Sequence, residues 1–355
     1  MQSHFFTLAV IFAAQLCFSQ TPTDTTKQEE EDYSMYADVE TSDAASGTKV
    51  YCSQKIIGLS PTKLISLGFD FVGANTLEVD TLNSFLNNTS NINYNYGTRV
   101  AVNFPVISNN KMILNLGANY LDFRYKFAKP VNEIHPLNYS LANFGLVSYG
   151  ANATLFKPLN SKHFIIIQAN LDFNSSGEFD APTGNEAKVS GAALFGVKPH
   201  DRRQYGFGVT RSYRGGGVMY TPVFLYNYTF PNKKWGAEVL LPAKANLRYS
   251  VNSRNILLAG FELEGNSYLI KPITDYKLPY NDPQLKRSEI RPRLTYECSL
   301  YQFIWLSVQV GYRMNYRFNL DDGDFYRNAS SKPYVMENKP SGAYYFNISL
   351  NLVSP

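Results

Sequence analysis

Residues 164–173 read Phe-Ile-Ile-Ile-Gln-Ala-Asn-Leu-Asp-Phe. Successive side chains of a β-strand point to opposite faces, so a step of two sorts this stretch cleanly. Ile165, Ile167, Ala169, Leu171 and Phe173 share one face, and Gln168, Asn170 and Asp172 share the other. Residues 344–352 repeat the pattern, with Tyr344, Phe346, Ile348, Leu350 and Leu352 against Tyr345, Asn347, Ser349 and Asn351. Residues 304–314 do so again, with Ile304, Leu306, Val308, Val310, Tyr312 and Met314 opposing Ser307, Gln309, Gly311 and Arg313. Similar alternation occupies residues 63–72, 93–106, 112–127, 144–156, 189–198, 205–213, 218–230, 244–251, 256–268 and 287–298. Strands with one oily and one wet face fit a barrel whose outside meets lipid. A soluble β-sandwich usually has shorter strands and no systematic difference between its turns.

The links supply that difference. Tight ones at Ser108–Asn110, Asn160–Lys162, His200–Arg203, Pro231–Lys234 and Asn252–Asn255 alternate with long ones. The long ones are Asn75–Ile92, Ala128–Leu141, Ser175–Lys188, Lys271–Lys286 and Asn319–Ser341. Short periplasmic turns and long extracellular loops are the outer-membrane pattern, with both termini in the periplasm. The thirteen clear segments need a partner, because single-chain bacterial barrels carry an even number of strands. Splitting Trp235–Ser250 at Pro242, with Leu241-Pro242-Ala243 as a turn, gives fourteen and restores the alternation of turns. Twelve stays open if some short segments do not span. The fold class is therefore all-β, an antiparallel transmembrane β-barrel.

Composition agrees. Hydrophobic residues are 44%, aromatic residues 15% and charged residues 17% of the 355. A mean hydropathy of −0.25 is far below that of a helical membrane protein. No stretch holds 18 consecutive apolar residues, so no membrane-spanning helix is expected.

The chain divides into three parts. Residues 1–19 read as a signal peptide: Phe5–Leu16 is a short apolar run, and Cys17-Phe18-Ser19 places small residues for cleavage before Gln20. Residues 20–46 read as an acidic linker too poor in apolar residues to pack. Residues 47–355 form the barrel. One of the 33 basic and eight of the 29 acidic residues lie in 1–46, leaving 32 and 21 and a formal excess of 11 positive charges in the barrel. Cys52 and Cys298 remain in the mature chain with no metal-site spacing, and their sequence positions leave open whether they pair.

Ser60-Pro61-Thr62-Lys63-Leu64 leads into Gly68-Phe69-Asp70, and Leu241-Pro242-Ala243-Lys244 leads into Leu247-Arg248-Tyr249. With the Phe18-Ser19-Gln20 cleavage context, these stretches resemble a family of outer-membrane β-barrels of unknown function from Bacteroides- and Flavobacterium-type bacteria. The resemblance spans most of Lys49–Pro355. It implies the barrel fold and supplies no catalytic residue. The C-terminus ends Leu352-Val353-Ser354-Pro355 and not on an aromatic residue. The barrel-assembly machinery, an expected partner, would therefore read Tyr344–Leu352.

A charge facing lipid near the midplane costs roughly 2–4 kcal/mol for Arg or Lys, so alternation directs the charges inward. The candidates are Lys244 and Arg248 on one strand and Glu262 and Glu264 on the next. Arg287, Glu289, Arg291, Arg293 and Glu297 follow, then Arg313 and Arg317. Two readings stand: a basic lumen that attracts anions, or a salt-bridged interior that plugs the barrel. Arg99 and Asn103 add polarity on another strand.

No enzyme is expected. His163 and His200 flank tight turns, and His135 sits beside Pro136 in a long link, where solvated histidines are the ordinary case. No nucleophile–base pair, phosphate loop or zinc spacing is present, and no cofactor or metal is expected. The Asp321-Asp322-Gly323-Asp324 run lacks the full calcium-loop pattern. Arg211 and Arg214, interleaved with Tyr213, suit lipopolysaccharide near the outer rim better than nucleic acid. The function expected is passive or facilitated passage of small solutes, anions favoured. The alternative is a non-conducting structural or surface-interaction barrel acting through its loops.

Overall fold

Asparagine side chains set the tight turns. Asn109 Oδ1 accepts the backbone N–H groups of Lys111 and Met112 at 3.0 and 2.9 Å. Asn160 does the same for Lys162 and His163, Asn232 for Lys234 and Trp235, and Asn252 for Arg254. A side-chain carbonyl that captures the next N–H groups reverses the chain within a few residues. The computed structural model describes residues 51–82, 86–129, 135–176, 186–212, 219–270, 283–321 and 334–354. The signal peptide, the acidic linker, Asp322–Asp324, Tyr213 and Arg214 lie outside the described residues.

In chain order the elements are β1 (Lys63–Val72), β2 (Asn75–Val79), β3 (Asn88–Asn109), β4 (Met112–Phe127), α1 (Pro136–Asn143), β5 (Leu146–Pro158) and β6 (His163–Ser176). Then come β7 (Ala187–His200), β8 (Arg203–Ser212), β9 (Met219–Thr229), β10 (Trp235–Leu241), β11 (Lys244–Asn252) and β12 (Asn255–Ile270). β13 (Gln284–Tyr301), β14 (Ile304–Asp321), β15 (Met336–Glu337), β16 (Lys339–Pro340) and β17 (Ala343–Val353) complete the chain. β1 and β3 through β14 each pair antiparallel with their neighbours, and β17 joins β14 to β1. The result is a closed, antiparallel fourteen-stranded β-barrel. Trp235–Leu241 and Lys244–Asn252 are separate strands either side of Pro242, as the even count requires.

The outer face is apolar between two aromatic belts. At the short-turn end Tyr228 packs on Phe230 and Trp235 on Tyr249. At the long-loop end Phe71 stacks on Tyr94, Tyr149 on Phe173, and Tyr312 meets Tyr344 edge-on. Between them Leu67, Leu116, Ile167, Phe207, Leu247 and Leu294 stand exposed. An apolar band flanked by aromatic girdles matches a bilayer and its two interfaces.

The wall is uneven. β3, β13 and β14 have 22, 18 and 18 residues, whereas β10 and β11 have 7 and 9. Above the low strands β7–β11, the tall wall closes on itself: Leu269 and Ile270 of β12 pair in parallel with Ser175 and Ser176 of β6. β15 adds to β14, and β16 pairs with β2. The long-loop end is therefore a narrower tier with its own apolar core of Leu77, Phe123, Leu137, Leu141, Ile270, Phe318 and Leu320, among others. Along β4 the alternation keeps its period and reverses its polarity. Asn115 and Asn119 face inward lower down, and Leu121, Phe123 and Tyr125 face inward above. There the outward side chains are Asp122 and Arg124, paired at 2.5 Å. A soluble-protein core thus sits on a membrane barrel.

α1 enters that core. The segment read as an open loop begins a helix at Pro136, which tolerates the first helical position because no N–H is needed there. Leu137 and Leu141, four apart on one face, are fully buried. His135, expected in solvent, is also fully buried, with Nε2 3.1 Å from the Asp80 carbonyl oxygen. The cause is the apolar tier, which encloses the helix start.

Phe207 and Tyr220 are equally exposed on the outer face, at 68% and 65%. Phe207 lies mid-strand in β8, and Tyr220 lies at the long-loop rim opposite Arg211. Phe207→Arg is expected to cost about 2–4 kcal/mol of folding free energy and Tyr220→Arg about 0–1, measured by urea titration in lipid vesicles.

Candidate functional site in the barrel lumen

The inward face of the tall wall carries one continuous ion-paired network. Asn347 Nδ2 donates to Asp70 Oδ1 at 2.7 Å, and Asp70 pairs with Arg99. Arg99 Nη2 reaches Glu264 Oε2 at 2.9 Å, and Arg291 Nη1 meets the same oxygen at 2.7 Å. Arg291 continues to Glu289, which also takes Arg313 and, at 3.1 Å, Arg287 Nη2. Glu289 is wholly buried, and Arg287, Arg291 and Arg313 are nearly so. Arg293 pairs separately with Glu262 and reaches Gln309 at 3.4 Å.

Other predicted charges are distributed around the short-turn end. Glu297 accepts Lys63 at 2.8 Å and Ser307 at 3.1 Å. Arg248 is wholly buried, with Nε 3.1 Å from Glu238 and donations to Thr229 at 2.7 Å and Ser250 at 3.0 Å. Lys244 is exposed and makes no ion pair among the described residues. Arg317 leaves the inward set. A bulge opposite Ser288 and Glu289 shifts the register of β14 by one, so Phe318 and Leu320 turn inward. Arg317 then falls on the other face, over the Tyr334 ring. A strand read in strict alternation cannot show that step. The partners Asp70, Asn347, Lys63 and Glu238 were not singled out from sequence, because pairing across strands distant in sequence depends on register.

Across the lumen, the inward residues of β4–β8 are mostly uncharged, with Asp172 and Lys188 opposite one another among them. Gln168 donates to Asn170 and Asn170 to Ser190, each at 3.1 Å, and Asn119 approaches Asp172 at 3.4 Å. Gln168 faces inward and is still exposed, so this half of the lumen is wet.

A strap of residues 51–62 crosses the short-turn mouth. Cys52 N–H donates to Asn160 O at 2.9 Å, Lys198 Nζ to Ser53 Oγ at 2.9 Å, and Ile57 N–H to Asp201 O at 3.0 Å. Thr229 Oγ1 donates to Ile57 O at 2.7 Å, and Ser60 Oγ donates to Glu238 at 3.1 Å. Gly58 adopts φ +77°, and a Cβ there would stand 2.9 Å from the Arg248 guanidinium. Both conformation and space therefore call for glycine. Cys52 packs on Phe156, Phe164 and Leu194. It is a free thiol, so it makes no bond to Cys298, and burial pushes its pKa up.

The profile of a family described as a domain of unknown function, DUF6268, matches residues 77–353. A comparison with curated proteins finds no match. Among solved structures, the chain is similar to an outer membrane channel from Pseudomonas putida F1, at 11% identity and TM-score 0.40, covering 83% of this chain and 97% of that one. It is similar to a Pseudomonas aeruginosa FadL homologue at 10% identity and TM-score 0.37, covering 84% and 91%. The Pseudomonas putida toluene transporter TodX gives 10% identity and TM-score 0.33, covering 85% and 95%.

Two outcomes follow from this geometry. Glu289→Ala leaves Arg287 and Arg313 without a carboxylate and Arg291 with Glu264 alone, and is expected to cost about 3–5 kcal/mol in a denaturant titration, whereas Lys244→Ala leaves the midpoint unchanged. Burial lowers the His135 pKa, outweighing its bond to Asp80. The unfolded segment then takes up the proton first as pH falls. The stabilisation is complete above about pH 6.5, the ordinary histidine value, and is lost progressively below it. Amides of α1, corrected for intrinsic exchange, should therefore be less protected at pH 5 than at pH 7.5. His135→Gln should abolish the difference; an equal difference in that variant would refute the assignment.

Proposed function

The chain belongs to the DUF6268 family, and from the geometry of its lumen we propose that it is an integral barrel of a Gram-negative outer membrane, passing small polar solutes, anions included, through its amide-lined half. The exposed, inward-facing Gln168 carries this reading. Asn170, Ser190 and Asn119 extend it into a hydrogen-bonding surface, with Asp172 and Lys188 opposite one another on the same face. The arginines of the tall wall are paired and buried, so they bias the lumen's potential without forming an open ring. The short turns and both chain termini face the periplasm, and a cleaved signal delivers the chain there. Lipopolysaccharide meets the long-loop rim at Arg211, and the barrel-assembly machinery engages β17. No enzymatic step is part of the proposal.

A second reading, a non-conducting surface barrel, draws on the apolar core at the long-loop end and the strap at the other. Single-channel recording separates the two. The mature chain in a planar bilayer should conduct weakly, and deletion of residues 20–59 should raise the conductance several-fold by removing the strap. Folded, heat-modifiable barrels that stay silent with and without the strap would establish the sealed reading.

A further inference from the structure

We propose that the arginine network holds one resident small anion, a halide or small oxyanion, between Arg287 and Arg313 under the phenols of Tyr125 and Tyr268. The inference does not depend on whether the barrel conducts. Among the described residues, the network joins four guanidiniums, of Arg99, Arg287, Arg291 and Arg313, to three carboxylates, of Asp70, Glu264 and Glu289. One positive charge is left over, and the Arg287, Glu289 and Arg313 end of the network is buried. An uncompensated buried charge costs several kcal/mol, so some group must offset it.

The excess sits at the upper end. Arg99 and Arg291 are each shared by two carboxylates, whereas Arg287 and Arg313 have only Glu289, which Arg291 also uses. Both guanidiniums lie against the Phe123 ring, at 4.7 and 5.1 Å, and both reach Glu289, so they are neighbours. Arg287 Nη1 has no hydrogen-bond partner among the described residues, although the side chain is only 3% exposed. Tyr125 packs edge-on against Phe123 at 5.3 Å, is buried, and its hydroxyl has no hydrogen-bond partner among the described residues either. Tyr268 lies within electrostatic reach of Arg287; its hydroxyl accepts from Asn266 at 3.4 Å and keeps its own proton to donate.

The Arg287 guanidinium and the two phenols each have a proton to give here, while Asn95 Oδ1 opposite Tyr125 and Asn315 Oδ1 opposite Glu289 are acceptors, unmatched among the described residues, that carry no charge to offset the excess. A cation is excluded by charge. A water molecule could accept two of the bonds but would leave the excess charge in place. A small anion accepts all of them and offsets the charge, and charge-assisted bonds of this kind are the stronger class. Phe123 and the apolar tier above it border the spot, so the occupant proposed is small.

The test uses the mature chain refolded in detergent. Thermal unfolding is followed in sodium chloride, bromide or nitrate against sodium gluconate at constant ionic strength. A ligand that binds only the folded state raises Tm with concentration. The rise should saturate as for one site with chloride and be absent with gluconate, which is larger than the occupant proposed. Tyr125→Phe keeps the charge and the packing and loses one donor, so it should weaken the apparent chloride affinity about tenfold. Arg287→Gln should abolish the response; if that variant fails to fold, Tyr125→Phe still decides. Crystals grown in bromide should show an anomalous peak beside Arg287 Nη1. Equal Tm in chloride and gluconate, or a chloride response unchanged by Tyr125→Phe with no peak at Arg287, would overturn the proposal.

Discussion

A strand in hydrocarbon can leave no backbone N–H or C=O unpaired, and the rest of this structure depends on that constraint. It requires a closed ladder, and β17 closes it by pairing with both β14 and β1. Closure fixes an even number of strands in an up-and-down chain. It also explains why a turn exists at Leu241-Pro242-Ala243, where the hydrophobic pattern alone reads as one long segment. Proline can supply no ladder donor, so the break in β10–β11 falls where a ladder bond could not form.

The same constraint sends charge inward. Lipid rejects it outside, so the barrel interior collects arginines and carboxylates on adjacent strands, and their register decides what they become. β12, β13 and β14 align Glu264, Glu289 and Arg313 so that one carboxylate serves three guanidiniums. β1 and β3 bring Asp70 and Arg99 in from the far end of the chain. Pairing turns the tall wall into a braced stave. The opposite wall carries mostly amides and hydroxyls, with a few charges among them such as Asp172 and Lys188, and its inward Gln168 stays exposed.

Sequence made the outward half of this legible and the inward half only partly so. Alternation in residues 164–173 and 344–352 gives the strands, the lipid face and the choice of which side chains enter the lumen. Partner choice needs register across strands far apart in sequence, so Asp70 and Asn347 carried no local signal. Arg317 was misplaced because one bulged residue inverts every side chain after it. The upper core was written in the sequence, in Leu121-Asp-Phe-Arg-Tyr-Lys-Phe127, where the period of two persists while the charged residues change faces. Period alone signals a strand; only polarity against period tells which solvent lies on which side. α1 escaped for a different reason: eight residues with two leucines carry too little periodicity to stand out from a loop.

That polarity reversal also locates the edge of the membrane. Below Tyr120, β4 hides its polar side chains and shows lipid its apolar ones; from Asp122 upward the order is inverted because water now lies outside. Above that level the chain must build a hydrophobic core like any soluble protein, and it does so by drawing the tall strands together through the β6–β12 contact. The low strands β7–β11 take no part in that closure, so the narrow tier stands over one half of the barrel only. The wet half of the lumen lies beneath the other. The division between a charge-braced side under the narrow tier and a more open side is thus a consequence of unequal strand length.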